Sequence, residues 1–253
     1  MRLFVSISFN GGAYSGWQIQ KNAISVQAVL ERALTLATGE TISVTGAGRT
    51  DAGVNAKGFI AHFDISPECT RKPEYILGKL NAILPSDIIA QNICQVSDDA
   101  HARFDAISRT YRYYVHTEKD PFAIFSYHYR HRLNMERMNS AAKHLLGTKD
   151  FSSFEKVGSN NNTSICTVTS ALWEHIDETH LCFCVTADRF LRNMVRAMVG
   201  TLLDIGREKR EPEWIKQLLE EKERCKAGQS VPGHALFLTE VRYPYPLFEN
   251  NKK

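Results

Sequence analysis

Apolar and polar residues alternate over Leu3–Phe9, the pattern of a half-buried strand. Apolar residues then recur at helical spacing at Val26, Val29, Leu30, Ala33, Leu34 and Ala37, with Ser25 placed to cap the helix. A short strand at Thr41–Thr45 and a longer one at Phe59–Ile65 follow. Pro73 introduces a helix over Glu74–Ile83 that must end before Pro85, and Ile88–Val96 reads as a strand. The pattern then repeats. Strands are expected at Thr110–Thr117, Thr167–Ile176 and His180–Ala187, the last two joined by a turn at Asp177–Thr179. Helices are expected at Glu136–Leu146, closed by Gly147, and at Phe190–Ile205, ending at Gly206. An additional helix at Glu213–Arg224 and a strand at Leu236–Tyr243 complete the chain.

Both halves therefore read β-α-β-β-α-β, the ferredoxin-like order, with one extra helix in the second. The expected class is α/β (α+β), with a first half over 1–100, a second over 101–253, and a cleft between them. Two stretches resist assignment. Phe151–Asn162 is polar, carries three consecutive Asn and is expected to be mobile; Lys226–His234, with Gly228, Pro232 and Gly233, must be a loop.

Composition narrows the class. Hydrophobic residues make up 43% and charged residues 23%, an ordinary globular balance. No run approaches the ~18 apolar residues of a membrane span, and the start of the chain lacks the features of a signal peptide, so a cytoplasmic protein is expected. The six cysteines show no paired C-x-x-C spacing and the nine histidines are scattered, so no metal site is expected. The net charge of +3 hints weakly at an anionic partner. Its distribution says more. Basic and aromatic residues interleave over His101–His116 and Tyr127–Arg132. That combination suits phosphates and unstacked bases, and it equally suits amphipathic strands with a solvated basic face.

Candidate chemistry starts at Gly46-Ala-Gly-Arg-Thr-Asp-Ala-Gly-Val54. Asp51 stands two residues after Arg49 in a loop punctuated by Gly46, Gly48 and Gly53. A carboxylate held beside a cation stays ionised and can act as nucleophile or general base; the plain alternative is a tight turn. Tyr111 and Tyr113 share one face of their strand, where a ring can stack on a base or fill the core. Arg192 and Arg196 stand four apart on one helix edge, where such a pair either faces water or meets a carboxylate such as Asp51. Arg189 adds to the local positive field. The loop Asn10-Gly-Gly-Ala-Tyr-Ser-Gly-Trp-Gln18 carries Tyr14 and Trp17, expected as exposed-loop aromatics that bind a partner, unless Trp17 anchors the loop on the core.

Taken together, these segments resemble the tRNA pseudouridine synthase A family. The matching stretches are Phe9-Asn-Gly-Gly with Gly16-Trp-Gln, the Arg49-Thr-Asp51 loop, His101-Ala-Arg-Phe, Tyr111-Arg-Tyr, Asp150-Phe-Ser-Ser-Phe, Phe190-Leu-x-x-Met-Val-Arg-x-x-Val-Gly200 and His234-Ala-Leu-Phe-Leu. The resemblance implies a pseudouridine synthase fold of two halves around a mainly antiparallel sheet with a basic cleft. It implies a homodimer that isomerises uridine to pseudouridine at positions 38, 39 and 40 of the tRNA anticodon stem-loop, with no cofactor and no metal. It implies Asp51 as the catalytic aspartate, Arg196 as its partner, Tyr111 as the stacking tyrosine and Arg49 at the rim of the site. Asn55 replaces the family's usual histidine, Asn10 its aspartate, and Gly233-His-Ala-Leu236 its proline-histidine-glycine-leucine, which leaves fine substrate choice open. The rival expectations are a non-catalytic RNA-binding module, a metal-dependent hydrolase using Asp51 with His62 and Asp64, and a partner-binding protein.

Overall fold

Strand β1 (Arg2–Phe9) is flanked on one side by β3 (Asn55–Asp64) and on the other by β4 (Ile88–Gln95), both antiparallel. Leu3 lies opposite Phe63, and Phe4 opposite Cys94. The short β2 (Val44–Gly46) and the last strand, β10 (Leu236–Arg242), are further neighbours of β3. The period-two alternation of β1 places Leu3, Val5, Ile7 and Phe9 on one face, all of them buried. Phe4 packs on the other with Ala47, Ile60, Ala100 and Ala102. Two helices complete this half: α1 (Val26–Thr38), and α2 (Pro73–Ile83), which packs on α1 and on β4. Ser25 Oγ accepts from Ala28 N at 3.2 Å, the expected cap, and Gly39 closes α1 in the left-handed conformation.

The second half holds β5 (Ser108–His116), β6 (Tyr127–His128), α3 (Met135–Lys143), β7 (Gly147–Asp150), β8 (Ile165–His175), β9 (His180–Ala187), α4 (Met194–Gly206) and α5 (Trp214–Glu221). Its strands run in the order β5-β9-β8-β7, antiparallel throughout, with β6 pairing parallel to β5. Tyr113, Phe183 and Trp173 lie across from one another on neighbouring strands and are buried. Helix α4 is buried on nearly every side, as its broad apolar stripe requires.

The computed structural model describes residues 1–159 and 161–248. It divides into two compact units, Met1–Ile107 together with the chain from Leu238, and Ser108–Phe237. The chain passes from the first unit to the second at Ile107–Ser108 and returns to the first at Leu238, within β10, which runs beside β3. Helix order and type follow the sequence pattern, with local differences. Helix α4 starts four residues later than its apolar spacing suggests, because Asn193 sits at φ 66 and breaks the helical run. Gly147, at φ +97, opens β7 four residues beyond the end of α3, so that turn hides a strand. In the unassigned stretch after β7, Phe151 and Phe154 are fully buried and Ser152–Phe154 forms a helical turn; of the expected Asn run, Asn160 lies outside the described residues.

Candidate active site

The loop that carries Asp51 spans the gap between β2 and β3 and is fixed at the level of its backbone. Ala47 N donates to Ile60 O at 2.7 Å, and Val54 N to Asp51 O at 3.2 Å. A second loop, between β1 and α1, is clamped against it. Trp17 N donates to Thr50 O, and Gly53 N to Tyr14 O, each at 3.3 Å. These contacts demand glycine. A Cβ on Gly16, whose φ is +94, would stand 2.2 Å from Thr50 O, and one on Gly11 would stand 2.1 Å from Val54 O. Gly46 is also enclosed, by the Trp17 and Phe59 rings, which a Cβ would meet at 2.6 and 2.7 Å. Among the described residues other than its chain neighbours, none has an atom within 4 Å of the missing Cβ of Gly48, so the space there is open. In this frame Arg49 is exposed, Thr50 buried and Asp51 half-buried.

Two aromatic residues of the bracing loop are structural. Trp17 is buried and stacks on Phe59 at 4.2 Å; Tyr14 is buried and donates its hydroxyl to Asp87 Oδ1 at 2.7 Å. Anchoring, the alternative for Trp17, holds, and Tyr14 is buried rather than exposed, its hydroxyl tied to Asp87. Asn55, noted in the sequence only as a departure, proves to be a brace. It is buried, and its Oδ1 accepts from Gly11 N at 2.9 Å. The signal available was its position, one residue after the loop, where a polar side chain entering a strand needs a partner.

The hydrolase reading loses its other two residues. His62 is buried, its Nδ1 accepts from Ala102 N at 3.0 Å, and burial pushes its pKa down to about 4. Asp64 is held by the Arg2 guanidinium through two 2.8 Å hydrogen bonds, which keep its carboxyl below the usual range. Among the described residues, no group of three or more His, Cys, Asp or Glu side chains is arranged to hold a metal ion.

Tyr111 and Arg196 belong to the second unit. Tyr111 lies on β5 opposite Val185, is 9% exposed, and meets the Phe190 ring edge-on at 5.1 Å. Tyr113, on the same face, is fully buried; its hydroxyl donates to Pro232 O at 3.0 Å, and burial raises its pKa far above the tyrosine range. The nearby Arg196 guanidinium works against that rise. Arg196 is half-buried on α4, whereas Arg192 is exposed and lies before the helix, cut off by Asn193, so the two do not share the expected helix edge. Arg196 Nε donates to Val231 O at 2.7 Å, and Val231 N donates back to Arg196 O at 3.2 Å. The segment Lys226–Val231 thus forms a strap along α4. Gly200 and Gly228 permit the approach: a Cβ on Gly200 would stand 1.8 Å from Gln229 O. The structure therefore places Arg49 and Asp51 on one loop of the first unit, and Tyr111 and Arg196 on β5 and α4 of the second.

The profile of the tRNA pseudouridine synthase family matches residues 5–105 and 141–244. The chain belongs to the tRNA pseudouridine synthase family. Arg49, Asp51 and Arg196 fall inside the matched stretches, and Tyr111 falls between them. The tRNA pseudouridine synthase A of Bacteroides fragilis is 46% identical over 249 residues, 98% of each chain. That of Bacteroides thetaiotaomicron is 46% identical over 258 residues, 100% of this chain and 94% of its own. The Bacillus subtilis protein of the same name is 40% identical over 250 residues, 96% of this chain and 99% of its own. Membership makes this protein a pseudouridine synthase, an isomerase with a mixed α/β fold. Among the described residues, no helix is long and apolar enough to cross a membrane.

Proposed function

We propose that this protein isomerises uridine to pseudouridine at positions 38, 39 and 40 of the tRNA anticodon stem-loop, as a cytoplasmic homodimer that needs no cofactor. The observation that carries the reading is the half-buried Asp51 carboxylate on a loop whose backbone is clamped by a second loop. A turn that merely reversed the chain would not need that enclosure.

The reaction breaks the N1–C1′ bond, rotates the base and joins C5 to C1′. The proton on C5 leaves and N1 gains one, so no redox partner enters the balance. The target base first leaves its stack, at a cost of a few kcal/mol. In this reading the Tyr111 ring offsets part of that cost by stacking on it, since a base on an aromatic ring recovers about 1–3 kcal/mol. Arg49, exposed beside the open face of Gly48, takes a phosphate or the space the base vacated. Asp51 attacks C1′, attacks C6 or removes the 2′ proton. Arg196, with Nε committed to Val231 O, pairs its guanidinium with Asp51 and aims that carboxylate. Tyr111 or Asp51 then takes the C5 proton. Basic side chains on the RNA-binding surface track the tRNA backbone, so binding weakens as salt rises.

The test is tritium release from tRNA labelled at C5 of uridine, with chelator present, beside Asp51→Asn. Release by the wild type alone, with tRNA affinity nearly unchanged in the variant, supports the assignment. Normal turnover by Asp51→Asn sinks the catalytic role of Asp51. No release from several tRNAs, with binding retained, favours a non-catalytic RNA-binding module.

A further inference from the structure

A series of rings leads from the core of the first unit to its surface. Phe4, fully buried, stacks on His62 at 5.9 Å; His62 meets His101 edge-on at 4.7 Å; His101 lies at 4.3 Å and 32° from Phe104. The series ends in solvent, for Phe104 is 74% exposed. Exposure of one apolar ring is common and means little by itself. What sets Phe104 apart is how firmly the exposed ring is held.

Its turn is tied at nearly every residue. His101 Nδ1 accepts from both Arg103 N and Phe104 N, at 3.1 and 3.2 Å. Asp105 Oδ2 accepts from His101 N and from the Tyr245 hydroxyl, each at 2.8 Å. Ala102 N donates to His62 Nδ1, and Ala102 O accepts from the Tyr243 hydroxyl. The Arg103 guanidinium lies over the Phe104 ring, 5.6 Å from its centroid. A flat ring and a guanidinium, both exposed at the tip of a preorganised turn, match an unstacked base and its phosphate. The turn also packs with the first residues of the Asp51 loop. Ala47, second residue of the Gly46–Val54 stretch, packs in one cluster with Ala100 and Ala102 on either side of His101.

We infer that Phe104 and Arg103 form a second base-binding platform, on which an unpaired base of the tRNA substrate, flanking the target uridine, stacks while Arg103 holds its phosphate. The inference rests on the proposed reaction for the identity of the RNA. The platform positions substrate and takes no part in bond making. The basic, aromatic stretch His101–His116 thus divides by function: its first residues grip RNA from a turn, and Tyr111 works from a strand.

The experiment uses the full chain, tRNA transcript, and the variants Phe104→Ala, Phe104→Trp and Arg103→Ala. Phe104→Ala should weaken tRNA binding and raise KM roughly tenfold, with kcat within about twofold. Phe104→Trp should restore both, because any flat ring serves. Arg103→Ala should weaken binding and lower the salt slope by about one. A 2-aminopurine in the anticodon loop should be quenched by wild type and by Phe104→Trp, and not by Phe104→Ala. Unchanged affinity in Phe104→Ala overturns the platform, as does equal damage from Ala and Trp, which would mark a structural role. A shift in the monomer–dimer balance of Phe104→Ala at unchanged tRNA affinity overturns it in favour of a protein contact. If the wild type releases no tritium, the proposed reaction falls by itself, and the binding comparison still decides the platform.

Discussion

Asp51 and Arg196 are positioned by two different devices. Asp51 sits on a loop, and that loop owes its shape to a second loop pressed against its backbone through Gly11 and Gly16. Arg196 sits on α4, a helix buried on nearly every side, and the strap Lys226–Val231 needs only to aim its side chain. Glycine close-packing serves both, but at different levels. In the first unit it fixes where the backbone of Asp51 itself runs. In the second it docks an accessory segment on an element that is already rigid. A carboxylate on a loop therefore depends on distant glycines more steeply than a guanidinium on a helix does.

The sharpest way to break that comparison is Gly16→Ala. A left-handed conformation costs an L-residue about 1–2 kcal/mol, and the new Cβ would also meet Thr50 O at 2.2 Å. Overpacking of that kind costs roughly 1–3 kcal/mol more. The loop must shift, and Thr50 is the residue before Asp51. A displacement near 1 Å is expected to lower kcat about 10²-fold, with a lowered urea midpoint. Single-turnover tritium release and urea unfolding check the two effects. A variant that unfolds more easily yet keeps full kcat would show that Asp51 is not placed by this clamp.

Gly200→Ala should do less. Inside a helix this change gains up to about 1 kcal/mol in propensity. The contact at 1.8 Å from Gln229 O opposes it, and overpacking at roughly 1–3 kcal/mol outweighs the gain. The strap lifts, Val231 O moves away from Arg196 Nε, and kcat is expected to fall about tenfold while α4 stays in place. Equal kcat losses for Gly16→Ala and Gly200→Ala would erase the distinction between loop and helix. No loss in Gly200→Ala would mean that Arg196 is aimed by something other than the strap.

What the sequence made legible follows the same division. The helices, the main paired strands and the β-α-β-β-α-β order, to which the short β6 and β7 are added in the second half, come from periodicity, because a buried face leaves its spacing in the chain. Asp51 and Arg49 were visible through their glycines, which mark where a backbone must turn or be approached. The bracing was not visible. Gly11 and Gly16 read as ordinary loop glycines, and only the fold shows that Thr50 O and Val54 O lie against them. Tyr14 read as a loop residue and Trp17 as either loop or core, and their burial depended on Asp87 and Phe59, each more than forty residues away in the chain. The late start of α4 was hidden for a local reason: Leu191, Met194 and Val195 keep helical spacing across an Asn193 that leaves the helical conformation. Asn55 looked like a substitution near the site and became a brace once Gly11 N was placed beside it.

The smallest expected effect concerns pH and tests whether the first unit's scaffold carries a titrating group that the strap on α4 lacks. His62 holds the Ala102 backbone and has a pKa lowered from 6.5 to about 4, by burial first and then by the Arg2 and His101 charges, against the pull of Asp64 and Asp105. Between those values the unfolded chain binds a proton that the folded one refuses, so stability falls as pH drops from 6.5 toward 4 and is full above 6.5. The contribution is at most about 3 kcal/mol. The strap is held by Val231 O, Ser230 and Asn193, none of which titrates in that range. In His62→Asn, the new amide oxygen can accept from Ala102 N in place of Nδ1, so the fold should persist with a flatter slope. Urea midpoints of wild type and variant at pH 7, 5.5 and 4.5 supply the comparison. Parallel curves would show that His62 does not set the acid response, and the first unit would then owe its acid sensitivity to its carboxylates.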